Sequence, residues 1–173
     1  LALIKLIGSL IILFASTAAG MMLARQYRDR PREIRQWRSA LQSIEAEIVY
    51  GRVPVDQMAA DLSKQFPMPL SKFFQLLHEQ LSGEGLPLQI AWSTSIEHFW
   101  PRTALKRPEK EILLQFGTTL GTEDAENQKK HIQLALAHLE REENDARQSQ
   151  KANEKMLRSL GFLAGVLFIL LFI

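Results

Sequence analysis

Two histidines, His131 and His138, stand seven residues apart, which on a helix places them on one face two turns apart. Histidine is a common metal ligand, so two on one face raise the question of a metal site. No acidic or sulfur partner is placed to complete such a set, so surface or core histidines are the better reading. His78-Glu79 opens like a helical zinc-protease motif, but no second histidine follows. Ser93, Ser95, Glu97 and His98 supply the letters of a nucleophile, base and acid, and nothing beyond the letters. Gly117-Thr-Thr-Leu-Gly121 lacks the lysine and the spacing of a phosphate loop. Cysteine is absent, which excludes a thiol catalyst, a disulfide scaffold and a cysteine-based zinc site. Trp37, Trp92, Phe99 and Trp100 sit at helical core spacings or beside prolines, as packing residues do. No catalytic, cofactor-binding or metal-binding residue is therefore expected, and the chain does not read as an enzyme.

Charge carries more information than these candidates. The net charge is only +2 over 173 residues, but Arg25, Arg28, Arg30, Arg32, Arg35 and Arg38 cluster, offset only by Asp29 and Glu33. No aromatics interleave with them and no reader motif follows, so a nucleic-acid partner is not expected. The cluster follows an uncharged run, Leu6 to Ala24, of about nineteen residues. As a helix that run would be roughly 28 Å long, close to the ~30 Å hydrocarbon core of a bilayer. Basic residues beside a span favour the cytoplasmic side, and anionic lipid adds roughly 1 kcal/mol for each. Arg25, Arg28, Arg30 and Arg32 are thus read as a lipid-facing basic cluster. A cleaved signal peptide, with Ser16 to Gly20 at the cleavage region, is the competing reading. Against it, the apolar run resumes at Met21-Met22-Leu23, and the arginines follow the run where a signal peptide would carry them before it.

A second uncharged run, Leu160 to Ile173, ends the chain. At about fourteen residues and roughly 21 Å it reads as a short or tilted span, with Arg158 snorkelling to the headgroups. The alternative is an apolar tail docked on protein. Lys151, Lys155 and Arg158 precede it, so both flanks carry positive charge. A two-pass hairpin follows: residues 1–24 as one transmembrane helix, 25–158 as a cytosolic helical bundle with a membrane-proximal stalk, and 159–173 as the other transmembrane helix. Gly8, Ser9, Ser16, Ala19 and Gly20 are small enough to let another helix approach the first span.

The elements between the spans are helical by period. Ile34, Trp37, Leu41, Ile44 and Ile48 recur at three- and four-residue steps, a core-facing stripe that Gly51 can end. Pro31 suits a helical first turn, with Asp29 or Arg30 at its cap. Four shorter helices follow, marked by Val55 to Phe66, Leu70 to Leu81, Leu88 to Phe99 and Ile112 to Leu120, with prolines at their starts or flanks and glycine after two of them. Thr122 can cap a long last helix whose first turn holds Glu123 and Asp124. Its early part is amphipathic through Ile132, Ala135, Leu136 and Leu139. The run from Glu140 to Lys155 has too few apolar residues to bury a face and reads as a polar stalk. No stretch alternates, so no sheet is expected. The fold class is all-α: an antiparallel bundle of about six helices, the first and last continuing into transmembrane spans. Counting outward from Arg25 and Arg158 brings Glu140, Glu142, Glu143 and Asp145 near Arg35 and Arg38, as an exposed ion-paired stalk that sets register more than stability.

Several stretches together resemble the stage III sporulation protein AB family of endospore-forming bacteria: Ala24-Arg to Arg30-Pro31, Ile44-Glu-Ala-Glu-Ile-Val-Tyr-Gly51, Glu111-Ile-Leu-Leu-Gln-Phe-Gly-Thr-Thr-Leu-Gly121 and Lys155-Met-Leu-Arg-Ser-Leu-Gly161. That family is itself similar to the inner-membrane platform (F-type) protein of type II secretion and type IV pilus machines. Leu81-Ser-Gly-Glu-Gly-Leu-Pro-Leu88 looks like the Gly-Glu turn of those platform domains. The resemblance implies a non-enzymatic assembly platform in the outer forespore membrane, facing the mother cell. It would be part of a secretion-like channel between mother cell and forespore. It implies channel proteins of the same operon, including a cytosolic secretion-type ATPase, as partners beside membrane lipids, and no cofactor. Self-association stays open. A membrane-tethered signalling or adaptor module is the alternative. On either account the bundle tip farthest from the membrane would meet the partner. Helix counting places Gly51, Arg52, Thr119, Glu123 and Asp124 there.

Overall fold

The computed structural model describes residues 2–50, 53–83, 85–121 and 124–172. Among them the regular structure is all helical. In order come α1 (Ala2–Tyr50), α2 (Val55–Gln65), α3 (Leu70–Ser82), α4 (Leu88–Phe99), a 3-10 turn (Trp100–Arg102), α5 (Arg107–Thr119) and α6 (Ala125–Phe172). The chain divides into two compact units, one of residues 32–144 and one of residues 1–31 with 145–173.

Most helix boundaries follow from the prolines. Pro54 and Pro87 precede α2 and α4, and Pro108 sits in the first turn of α5. The 3-10 turn was not expected. Pro101 has no N–H to continue the ladder of α4, and the chain closes instead with Thr103 N–H on the Trp100 carbonyl at 3.3 Å. Pro31 does not start a helix as expected; it lies inside α1. A proline there costs about 3 kcal/mol in an isolated helix, and the helix nonetheless continues through it, with Arg30, Glu33 and Ile34 buried nearby. The cap of α6 also differs. Thr122 lies outside the described residues, and Asp124 takes the cap role, accepting the Asn127 N–H at 2.8 Å.

The core of the 32–144 unit is an aromatic hub. Trp37 comes from the expected stripe of α1, where Ile34, Ala40, Leu41 and Ile44 are buried with it. Its ring centroid lies 4.8 Å from Phe73 of α3 and 5.8 Å and 6.0 Å from Phe99 and Trp92 of α4. Trp92 in turn meets Phe116 of α5 edge-on at 5.3 Å. Tilted and edge-on pairs of this kind add roughly 0.5–1.5 kcal/mol each beyond the area they bury. Trp92 also donates its indole N–H to the Leu113 carbonyl at 2.9 Å, which makes its full burial affordable. Gly117 lets α5 come this close, because a Cβ there would sit 2.2 Å from Trp92 Cδ1.

The long helices meet antiparallel within this unit. Arg35 pairs with Glu143, and ten residues further along α1 Glu45 accepts from Gln133, ten residues back along α6. Arg38 contacts Glu143 at 2.7 Å and Glu140 at 3.3 Å. The expected partners therefore meet, Arg35 with Glu143 and Arg38 with Glu140 and Glu143. The pairing is not an exposed stalk. Glu143 is only 2% exposed and continues the buried stripe of Ile132, Ala135 and Leu139. The polar run after Glu140 does bury a face, because arginines on α1 supply what an apolar residue would otherwise have to.

In the other unit, α1 and α6 pack through small residues. Ser16 Oγ donates to the Gly161 carbonyl at 2.7 Å. A Cβ on Gly161 would lie 3.2 Å from both Gly20 Cα and the Ser16 carbonyl oxygen. Of the small residues expected to admit a helix, Ser16 and Gly20 do so, Gly8 has nothing within 4 Å, and Ala19 is exposed. Ser9's side chain lies outside the described residues. The large apolar side chains point away from this seam, with Phe14 79% and Leu170 75% exposed. Among the described residues, no helix is long and apolar enough to cross a membrane, so the expectation that the terminal helices continue as full spans is not met there.

Replacing Gly117 with alanine should destabilise the chain by about 2 kcal/mol through overpacking against Trp92, read as a lower midpoint in thermal denaturation. The ion pair should respond asymmetrically, since burial falls on the carboxylate while Arg35 and Arg38 reach solvent. Arg38→Ala should cost about 3 kcal/mol by leaving Glu143 under-compensated in the interior, and Glu143→Leu should cost less than half of that. Equal losses in denaturant titrations of the two variants would show that Glu143 is not the constrained partner.

Candidate functional site

Helix ends gather at one end of the 32–144 unit, and the expected partner-binding residues are drawn from there. Gly51, Arg52 and Glu123 lie outside the described residues. Thr119 is half-buried in the last turn of α5, its hydroxyl donating to the Phe116 carbonyl at 2.8 Å. Asp124 is exposed and engaged in capping α6. Neither side chain is preorganised for chemistry, and both flank a feature that the sequence reading missed. That feature is an apolar cavity of about 310 Å³, lined among others by Ile44 and Ile48 of α1, Met58 of α2, Leu88 of α4, and Leu120. Ile48 extends the stripe on α1 but is only half-buried, because it borders this space. Periodicity shows which face a helix buries; it does not show whether converging helix ends fill the space between them.

The basic cluster separates into two kinds of residue. Arg25, Arg28 and Arg32 are exposed, whereas Arg30 is only 8% exposed. Helical rotation explains it: at about 100° per residue, Arg30 lies roughly 200° round the axis from both Arg28 and Arg32. Composition alone groups all four.

The residues whose types suggested chemistry are not assembled for it. His131 and His138 do border one small cavity of about 120 Å³ with Thr118 and Leu134. Among the described residues, however, no three histidine or acidic side chains converge to hold a metal ion. Ser93 donates to the Ile90 carbonyl, Ser95 to Gln80, and Glu97 pairs with Lys110 at 2.8 Å, while His98 is exposed. His78 Nδ1 is bound to the Asp56 carbonyl at 2.9 Å, tying α3 to the start of α2.

Two buried carboxylates outside these candidates prove structural. Glu33 accepts from the Ala104 N–H at 2.9 Å and from the Thr103 hydroxyl, fastening the 103–106 connection to α1. Glu109 is fully buried and accepts the Lys106 N–H at 2.7 Å at the start of α5. Pro108 marks the start of this helix in the sequence, but Lys106 is not a capping residue type, so the burial of Glu109 is not legible there. Nothing local marks Glu33, whose partners lie about seventy residues away.

A sequence model of the family described as stage III sporulation protein AB matches residues 5–173. The chain is 48% identical to stage III sporulation protein AB of Bacillus subtilis (strain 168), over 97% of this chain and 98% of that protein. It is also similar to a solved structure of stage III sporulation protein AB, with a TM-score of 0.69 and 45% identity, covering 72% of this chain and 98% of the solved one. With a match across nearly its whole length and two relatives this similar, the chain belongs to the stage III sporulation protein AB family.

Proposed function

We propose that the chain is a non-enzymatic, membrane-anchored assembly platform of a sporulation-specific, secretion-like channel between mother cell and forespore. On this reading, residues 1–24 and 159–173 anchor it and residues 25–158 form the bundle. The bundle faces the cytosol on the mother-cell side of the outer forespore membrane and engages a secretion-type ATPase and other channel proteins of the same operon.

One observation carries the anchoring half. In the unit of residues 1–31 and 145–173, small residues fill the inside of the helix pair and large apolar side chains cover the outside. In water that arrangement exposes its most hydrophobic surface; in lipid it costs nothing, and small-residue seams are how helices pack there. Exposed Arg25 and Arg28 follow the exposed Met21 and Met22, the order expected at a lipid–water boundary on the cytoplasmic side. The platform half is supported by family membership, and by a 32–144 unit with its own core. The alternative, a membrane-tethered signalling or adaptor module, shares the anchor and needs no ATPase.

Two outcomes are expected. Gln148→Cys places a thiol at an exposed position in a chain that has none of its own. In intact sporulating cells it should resist a membrane-impermeant maleimide and become reactive on lysis; labelling before lysis would put the bundle outside. The full-length chain should also co-purify with the ATPase, and the charge change Asp124→Lys at the tip should lower recovery at least several-fold. Absence of any wild-type complex would favour the adaptor reading.

A further inference from the structure

The apolar cavity among the helix ends is not closed. Val53 and Val55 on its lining remain 37% and 40% exposed, and Val49 beside Ile48 is 46% exposed, so an apolar mouth leads into the space. Its volume of about 310 Å³ lies at the foot of the ~300–1,000 Å³ range of ligand sites. That suits one or two large side chains better than a cofactor. Among the described residues, the charged groups closest to it are predominantly acidic. Glu47 lines the cavity, Asp56 follows Val55, and Asp124 precedes Ala125. Glu47 and Asp56 have no ion-pair partner among the described residues. Of the nearby cations among the described residues, Lys130 is held by Glu126 at 3.3 Å, and Lys129 stands beside Gln128.

We propose that this cavity is a socket for a large apolar side chain, such as leucine or phenylalanine, presented on a basic segment of a partner protein. The apolar walls bury the anchor, and Glu47 and Asp56 at the rim select lysine or arginine beside it. The anchor supplies affinity because it is the part that leaves water, while the rim charges govern encounter and choice of partner. An acidic segment would bring like charge to the mouth, and a small side chain would leave the space empty. The socket rests on the reading of residues 32–144 as a docking unit, and it adds the chemistry of what docks.

The test uses the full chain in nanodiscs of zwitterionic lipid and a synthetic helical peptide. The peptide carries photoreactive leucine and phenylalanine four residues apart, with lysine at the other outward positions. Cross-links mapped by mass spectrometry should fall on Met58, Leu88 and Leu120. Ala125→Phe, at an exposed position on the mouth, should reduce them at least tenfold, and Glu47→Lys at least threefold. Ile90→Ser, at an exposed apolar position that does not line the cavity, should leave them unchanged. Circular dichroism establishes that each variant is folded. Cross-links located elsewhere, labelling untouched by Ala125→Phe, or equal labelling by a twin peptide with glutamate in place of lysine would each overturn the socket. If these arms fail while wild-type chain still captures the ATPase, the socket falls and the platform stands. If capture fails while the arms succeed, the socket stands with a different partner.

Discussion

Glu143 is the constraint on which the pairing of the two long helices turns. It occupies a position on α6 that the stripe of Ile132, Ala135 and Leu139 would give to an apolar residue, and it is buried there. A carboxylate inside protein requires compensation, and Arg35 and Arg38 on α1 provide it at 3.2 Å and 2.7 Å. An apolar residue at this position would tolerate sliding by one turn. A carboxylate that must meet two guanidinium groups does not. Its contribution is therefore to register more than to net stability, and the Glu45–Gln133 contact further along keeps the same register.

With α1 and α6 aligned, the shorter helices close the core around Trp37. The hub draws one ring from α1 and others from α3 and α4, with Phe116 of α5 attached through Trp92. Packing this dense needs relief at one point, and Gly117 provides it by having no side chain where Trp92 lies. The same short helices end together around a cavity that the core does not fill.

The unit of residues 1–31 and 145–173 obeys the opposite rule. Its seam is made of Ser16, Gly20 and Gly161, and its bulk faces outward. Counting residues from an assumed membrane edge set Arg25 level with Arg158. With Ser16 on Gly161, Arg25 instead comes level with about residue 152. The boundaries of hydrophobic runs are thus only a loose guide to the register that two helices adopt in this unit.

The sequence by itself determined the helical class, the four short helices, the core stripe of α1 and the family. Each depends on local information: period, proline positions and stretches of similar residues. It also placed the acidic group of α6 near the arginines of α1, because charge and distance along two helices are readable by counting. Only the tertiary structure decided that Arg30 turns inward, that Glu33 and Glu143 are buried, that Ser16 rather than Gly8 meets the facing helix, and that the helix ends border an open cavity. These depend on which residue stands opposite which across long sequence separations. Burial of a charge is set by the partner it finds, and no local pattern records that partner.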